Sequence, residues 1–108
     1  MKLGRTIVPT IVTFVHYDMA HGKQVVPTAG TELQLNGGVS NRCNAVLIQA
    51  ELDNTGYIYV GGENQAVSNA DCMCVLEAGD VVVLAVEDVN LIWIDCSVNG
   101  DGVWWGCL

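Results

Sequence analysis

The sequence predicts an all-β domain, an antiparallel β-sandwich or jelly-roll-like barrel with an extended N-terminal arm. Three observations lead there. Short runs rich in Val, Ile, Tyr and Trp are punctuated by Asn, Asp and Gly every 8–12 residues. No stretch carries sustained helical periodicity. At 108 residues, with 51% hydrophobic side chains, the chain holds one modest core, so it reads as a single domain. Residues 1–20 are assigned to an arm or edge strand, and residues 21–108 to the sandwich.

The elements follow in order. Ile7 to His16 is biased toward β-branched residues, but Pro9 removes a ladder donor, which suits an edge strand or bent arm. Asp18 to Lys23 reads as a turn before a short strand at Gln24–Val26, and Pro27 to Gly30 is a second turn. Glu32 to Leu35 alternates polar and apolar residues before the Asn36-Gly-Gly38 turn signal. Ala45 to Leu52 suits a strand or two helical turns, and the following Asp53-Asn-Thr-Gly56 turn favours the strand. Tyr57–Val60 is a strand closed by Gly61-Gly62, and Glu63 to Asp71 is a polar loop. Cys72–Leu76, Val81–Val86, Leu91–Cys96 and Val103–Leu108 are strands separated by Glu77-Ala-Gly-Asp80, Glu87-Asp-Val-Asn90 and Asn99-Gly-Asp-Gly102.

Within these strands the pattern departs from that of a sheet with one wet face, which should alternate. Val81-Val-Val-Leu-Ala-Val86 and Leu91-Ile-Trp-Ile94 are apolar at every position. One face fills the core, the other needs cover, and there is no amphipathic helix to supply it. The expectation is a homo-oligomer. Trp104 and Trp105 are adjacent, so on a strand they face opposite sides; both are candidates for a subunit interface, where indole is enriched. Trp93 is expected in the core.

The net charge is −8, and it is unevenly placed. Lys2, Arg5, Lys23 and Arg42 are all the Lys and Arg of the chain, and only Asp18 and Glu32 of its twelve carboxylates lie among them. Such a balance argues against nucleic acid, whose phosphates need Lys and Arg. No apolar run approaches the ~20 residues that span a bilayer, so no membrane partner is expected. The N-terminal residues do not read as a signal peptide.

Chemistry finds little purchase. His16 and His21 are the only imidazoles. Cys72-Met-Cys74 lacks the second spaced pair of a structural zinc site, and no cysteine is marked as a nucleophile. Leu76-Glu-Ala-Gly-Asp80 resembles the Gly-Asp turn of cupins, but no histidine follows His21 to supply cupin ligands. Glu87-Asp-Val-Asn90 and Asn99-Gly-Asp-Gly102 lack the full calcium-loop series. No metal, cofactor or catalytic residue is assigned, and the chain is not expected to be an enzyme.

Five cysteines, Cys43, Cys72, Cys74, Cys96 and Cys107, leave at least one without a partner inside the chain. An odd set in an extracellular particle suggests interchain bonds. Cys43 and Cys107 lead as candidates, one in a loop and one near the end. Cys72 and Cys74 on one strand would sit about 6–7 Å apart, too far to bond to each other.

The succession Asp53-Asn-Thr-Gly56, Tyr57-Ile-Tyr-Val-Gly61, Leu76-Glu-Ala-Gly-Asp80, the valine run and Leu91-Ile-Trp-Ile94 resembles small virion proteins of tailed bacteriophages, over about the last half of the chain. That resemblance implies a capsid cement (decoration) protein without a catalytic task, located on the capsid surface, commonly trimeric and bound to the major capsid protein. Met1–Tyr17 is then the arm that crosses the coat, with Lys2, Arg5, His16 and Tyr17 as contact candidates. The alternative is a small carbohydrate-binding β-sandwich module of a tail or spike, stacking sugars on Trp104 or Trp105.

Overall fold

The computed structural model describes residues 20–64 and 71–108. Of the expected arm only Ala20 belongs to that set; Lys2, Arg5, His16 and Tyr17 lie outside the described residues. Among the described residues there are eight strands: β1 His21–Val25, β2 Leu33–Gln34, β3 Val46–Ala50, β4 Ile58–Gly61, β5 Cys74–Leu76, β6 Val81–Leu84, β7 Trp93–Cys96 and β8 Gly102–Cys107. Short 3₁₀ turns cover Leu35–Gly38 and Val89–Leu91.

The strands form two four-stranded antiparallel sheets, β1-β8-β3-β6 and β2-β7-β4-β5. The first strand pairs with the last, the second with the seventh, the third with the sixth and the fourth with the fifth. This is one long antiparallel hairpin, β4–β5 at its tip, rolled so that successive pairs fall alternately in the two sheets. The cross-ladders β3–β8 and β4–β7 then close each sheet. Such an order is that of a jelly roll, so the expected all-β sandwich is present in that form.

The core lies between the sheets. Val46, Ile48 and Ala50 of β3, Ile58 and Val60 of β4, Ile94 of β7 and Val103 of β8 are fully buried and alternate with residues that point away. Each such side chain removed from water contributes about 1.5–3 kcal/mol. The turns at one end clasp each other. The Asp101 carboxylate accepts from the amides of Thr55 (3.2 Å) and Gly56 (2.8 Å), while Asn54 exchanges two hydrogen bonds with the Gly102 backbone. Thus the calcium-like phrase Asn99-Gly-Asp-Gly102 spends its acid on the Asp53-Asn-Thr-Gly56 turn.

Several expected boundaries shift. The predicted turn over Asp18–Lys23 gives way at His21, where β1 begins. Its pairing with Trp104–Gly106 overrides the local turn composition. Gly22 belongs in that strand because the Trp105 indole lies beneath it; a Cβ there would meet ring atoms at 3.0 Å. The valine run ends as a strand at Leu84, since the Val86 amide turns back onto the Leu84 carbonyl (3.0 Å). Leu91 leaves its expected strand for the 3₁₀ turn, which Asp88 caps by accepting from the Asn90 amide (3.1 Å). The strand expected over Glu32–Leu35 is only two residues long, because Asn36 and Gly37 take left-handed conformations.

Candidate interaction surface

Register decides which side chains share the outward face of the β1-β8-β3-β6 sheet. Val83 lies opposite Leu47, which lies opposite Gly106 and then His21; Val81 lies opposite Gln49, then Trp104, then Lys23. Directly opposed residues project to one side, so Val81, Val83, Leu47 and Trp104 form one apolar strip. Val81 and Val83 are each 52% exposed and Trp104 47%. Among the described residues β6 is also a free sheet edge.

The strip's charges are settled within the chain. The Lys23 ammonium lies 5.5 Å from the centre of the Trp104 ring and 3.3 Å from Glu51 Oε1. The arrangement covers part of the indole and neutralises the cation beside it. Glu51 Oε2 is buried with no hydrogen-bond partner.

The outward face of the second sheet is similar in kind. Val75 lies opposite Tyr59, and Tyr59 opposite Asp95. Val75, Met73 and Tyr57 are exposed. Between the two sheets, beyond the end of β6, a cleft of about 370 Å³ is lined by Met73, Leu84, Val86 and Leu91, with Leu91 51% exposed. The expectation that the valine run and Leu91–Ile94 keep an uncovered flank is met at Val81, Val83 and Leu91.

The tryptophans divide. Trp105 is only 6% exposed and packs into its own protomer, which removes it as an interface candidate; Trp104 remains one. Trp93 is not a core residue. Ile94 and Cys96 take the inward positions of β7, and Trp93 is half-buried on the outward side.

None of the five cysteines is joined in a disulfide. Cys96 is buried in the core with its Sγ 3.6 Å from the Val26 carbonyl, and burial, then the carboxylates of Asp95 and Asp101, raise its pKa. A group so placed cannot reach another chain. Cys74 also packs on the core, and burial, then the neighbouring Cys72, raises its thiol pKa. Cys43 and Cys107, expected to bridge chains, face each other within one chain. Burial and the Cys107 thiol push Cys43 up to about 12. Sequence reasoning missed this juxtaposition, since only the β3–β8 pairing reveals it.

Two buried acids also escaped sequence reasoning, and they titrate in opposite directions. Asp88 accepts from the Ser40 hydroxyl and from the amides of Asn41 (2.9 Å) and Asn90. These bonds, Ser40's foremost, hold its carboxyl below the usual range. Asp95 is fully buried on the outward side of β7, with Oδ2 unpartnered. Burial raises its pKa most, Glu32 adds to that, and the Cys96 and Gly30 amides on Oδ1 (2.8 and 3.0 Å) oppose it.

A raised folded-state pKa means that Asp95's contribution to stability is fully present below its unfolded value, near 3.8, and is lost as pH rises through the folded value. Asp88 behaves in reverse: its contribution is present above 3.8 and is lost as pH falls through its lowered folded value. Asp95→Asn is therefore expected to raise stability by about 1 kcal/mol at pH 8, because it removes a buried, partly unpaired carboxylate. The gain should shrink at pH 5. Urea midpoints at the two pH values check this; a variant less stable than wild type at pH 8 would contradict it.

Among the described residues, no group of three or more His, Cys, Asp or Glu side chains is arranged to hold a metal, and no helix is long and apolar enough to cross a membrane. No family model, curated protein or solved structure matches the chain.

Proposed function

We propose that this chain is a structural component of a virion, a capsid cement protein that assembles with itself, as a trimer, on the capsid surface and braces the major capsid protein. The observation that carries the reading is that both outward faces of the jelly roll leave apolar side chains open: Val81, Val83 and Trp104 on one, Met73, Val75 and Tyr57 on the other.

Area supports more than one contact. Four strands about 4.8 Å apart, each roughly five residues at about 3.3 Å, present a face on the order of 300 Å². A stable specific contact takes about 800 Å² from each partner. One sheet face therefore falls short alone, and the adjoining cleft and second face belong to the assembly as well. Two different patches on one protomer suit a closed ring, in which each copy gives one patch to one neighbour and the other patch to the next. A trimer then gains from multivalence, because one attached copy holds the others near their sites.

The sugar-binding alternative is less well supported, since Lys23 shares the ring of Trp104 that a sugar would stack on. No catalytic task is assigned. The segment Met1–Tyr17, with its Lys2 and Arg5, remains the proposed contact with the coat.

Two measurements test the role. Light scattering on the purified chain is expected to give about three times the 11.5 kDa chain mass. Imaging of particles containing the protein is expected to place it on the shell, with a copy number near that of the coat subunit. Six or twelve copies at a neck or tail would overturn the cement role, and a stable monomer at micromolar concentration would overturn the assembly.

A further inference from the structure

We propose that Cys43 and Cys107 are a dithiol site, built to close into an intrachain disulfide that fastens the last strand to the loop preceding β3. Several contacts place the two sulfurs together. Val46 of β3 pairs with Cys107, and the Asn44 amide donates to the Leu108 carbonyl at 3.0 Å, so the chain around Cys43 runs alongside the end of β8. Cys107 Sγ lies 3.7 Å from Asn41 Oδ1, two residues before Cys43, and Cys43 Sγ lies 3.6 Å from the Val86 carbonyl. Cys107 lies close enough to act on the Cys43 thiol, and both side chains pack against the same edge of the core while remaining partly accessible. Among the other thiols, Cys96 is sealed between the sheets.

Cys43 is also well supported from outside the pair. Its amide donates to the Glu87 carbonyl at 3.0 Å, and Asn41 and Ser40 are tied to Asp88. The loop is thus docked onto the segment after β6 before any covalent bond forms. A bond at this point would join three elements: the loop, the Asp88 turn and the C-terminal strand.

The oxidant is a low-molecular-weight disulfide. One cysteine, as thiolate, attacks it, breaks its S–S bond and releases one small thiol. The second cysteine, after giving up its proton, attacks the mixed disulfide, forms the Cys43–Cys107 bond and releases the second small thiol. The two cysteine sulfurs are oxidised, the reagent's two sulfurs are reduced, and the two protons end on the released thiols. Because Cys43 is protonated at neutral pH, closure should be slow at pH 7 and accelerate as pH rises.

The test incubates the full chain with oxidised glutathione at pH 8.5, blocks remaining thiols under denaturing conditions, and reads intact mass and peptide linkage. Three blocked thiols on a single-chain species are expected, with Cys43 and Cys107 recovered in one linked peptide. The melting temperature should rise by on the order of 10 °C, reversibly with reductant. Cys43→Ser and Cys107→Ser should each abolish that rise, while the reduced forms melt close to reduced wild type. Five blocked thiols, a linkage to Cys72 or Cys74, arrest at a single glutathione adduct, or a bond between chains would overturn the proposal. The readout is made on one chain and so is independent of whether the protein assembles on a capsid.

Discussion

Gly102→Ala is expected to lower the stability of the domain by about 3 kcal/mol, and Gly102→Val by more. Gly102 opens β8, buried where β1, β8 and the turn after β3 converge. A Cβ built there would lie 2.6 Å from the Gln24 carbonyl oxygen, 2.7 Å from Glu51 Oε2 and 3.0 Å from the Val25 Cα. Two of those three atoms are backbone and cannot swing aside. Gly102 cannot retreat either. Its amide donates to Asn54 Oδ1 at 3.0 Å, and its carbonyl accepts from the Glu51 amide at 3.0 Å and from Asn54 Nδ2 at 2.9 Å. Relief would have to break the β1–β8 ladder or the clasp between the two turns, and the third neighbour, Glu51, is held by Lys23. Gly100→Ala is the control. Gly100 has open space around its Cβ position but a φ of +90°, so it should cost only about 1 kcal/mol of local strain. Urea denaturation of the two variants separates steric blockage from backbone preference. A Gly102→Ala midpoint equal to wild type would show that the sheets give way there.

The strands that were legible in the sequence owe this to local chemistry. Ala45 to Leu52, Tyr57–Val60 and the valine run are largely apolar and begin just after Asn44, Gly56 and Asp80, and strands stand at each place. Adjacency of Trp104 and Trp105 was enough to split them between two faces. Which strand lies beside which was not legible, because period-2 alternation fixes a face but carries no address for a partner. The pairing of β1 with β8 depends on contacts more than seventy residues apart in the chain. For the same reason His21 was misread as turn: in isolation Asp18 to Lys23 is turn-like, and only the β8 ladder makes it extended. Trp93 was misplaced because every residue of Leu91–Ile94 is apolar, so composition could not choose the inward side; Ile92 and Ile94 took it. The Cys43–Cys107 neighbourhood and the Asp88 network are likewise products of topology. Neither leaves a spacing motif behind.

The uncovered strip makes the second large effect. Replacing Val81 and Val83 together by lysine is expected to convert the proposed trimer to single chains while leaving the fold intact. Both side chains point outward from an edge strand and are half exposed, so the isolated domain loses little; exposed substitutions usually fall within about 0.5 kcal/mol, and lysine is a natural occupant of sheet edges. In a packed interface the same ammonium groups would have to shed water against Leu47 and Trp104 of the strip, or their counterparts on a neighbour. Uncompensated burial of a polar group costs at least about 1–3 kcal/mol, and of a charge more. At about 1.4 kcal/mol per tenfold, two lysines weaken association by on the order of 100-fold or more. Val82→Lys supplies the contrast. Val82 faces the core, so its charge should unfold the domain rather than disperse the assembly. Light scattering with far-ultraviolet circular dichroism reads both properties at once. A double-lysine variant that still runs at the wild-type mass would overturn the two-patch ring.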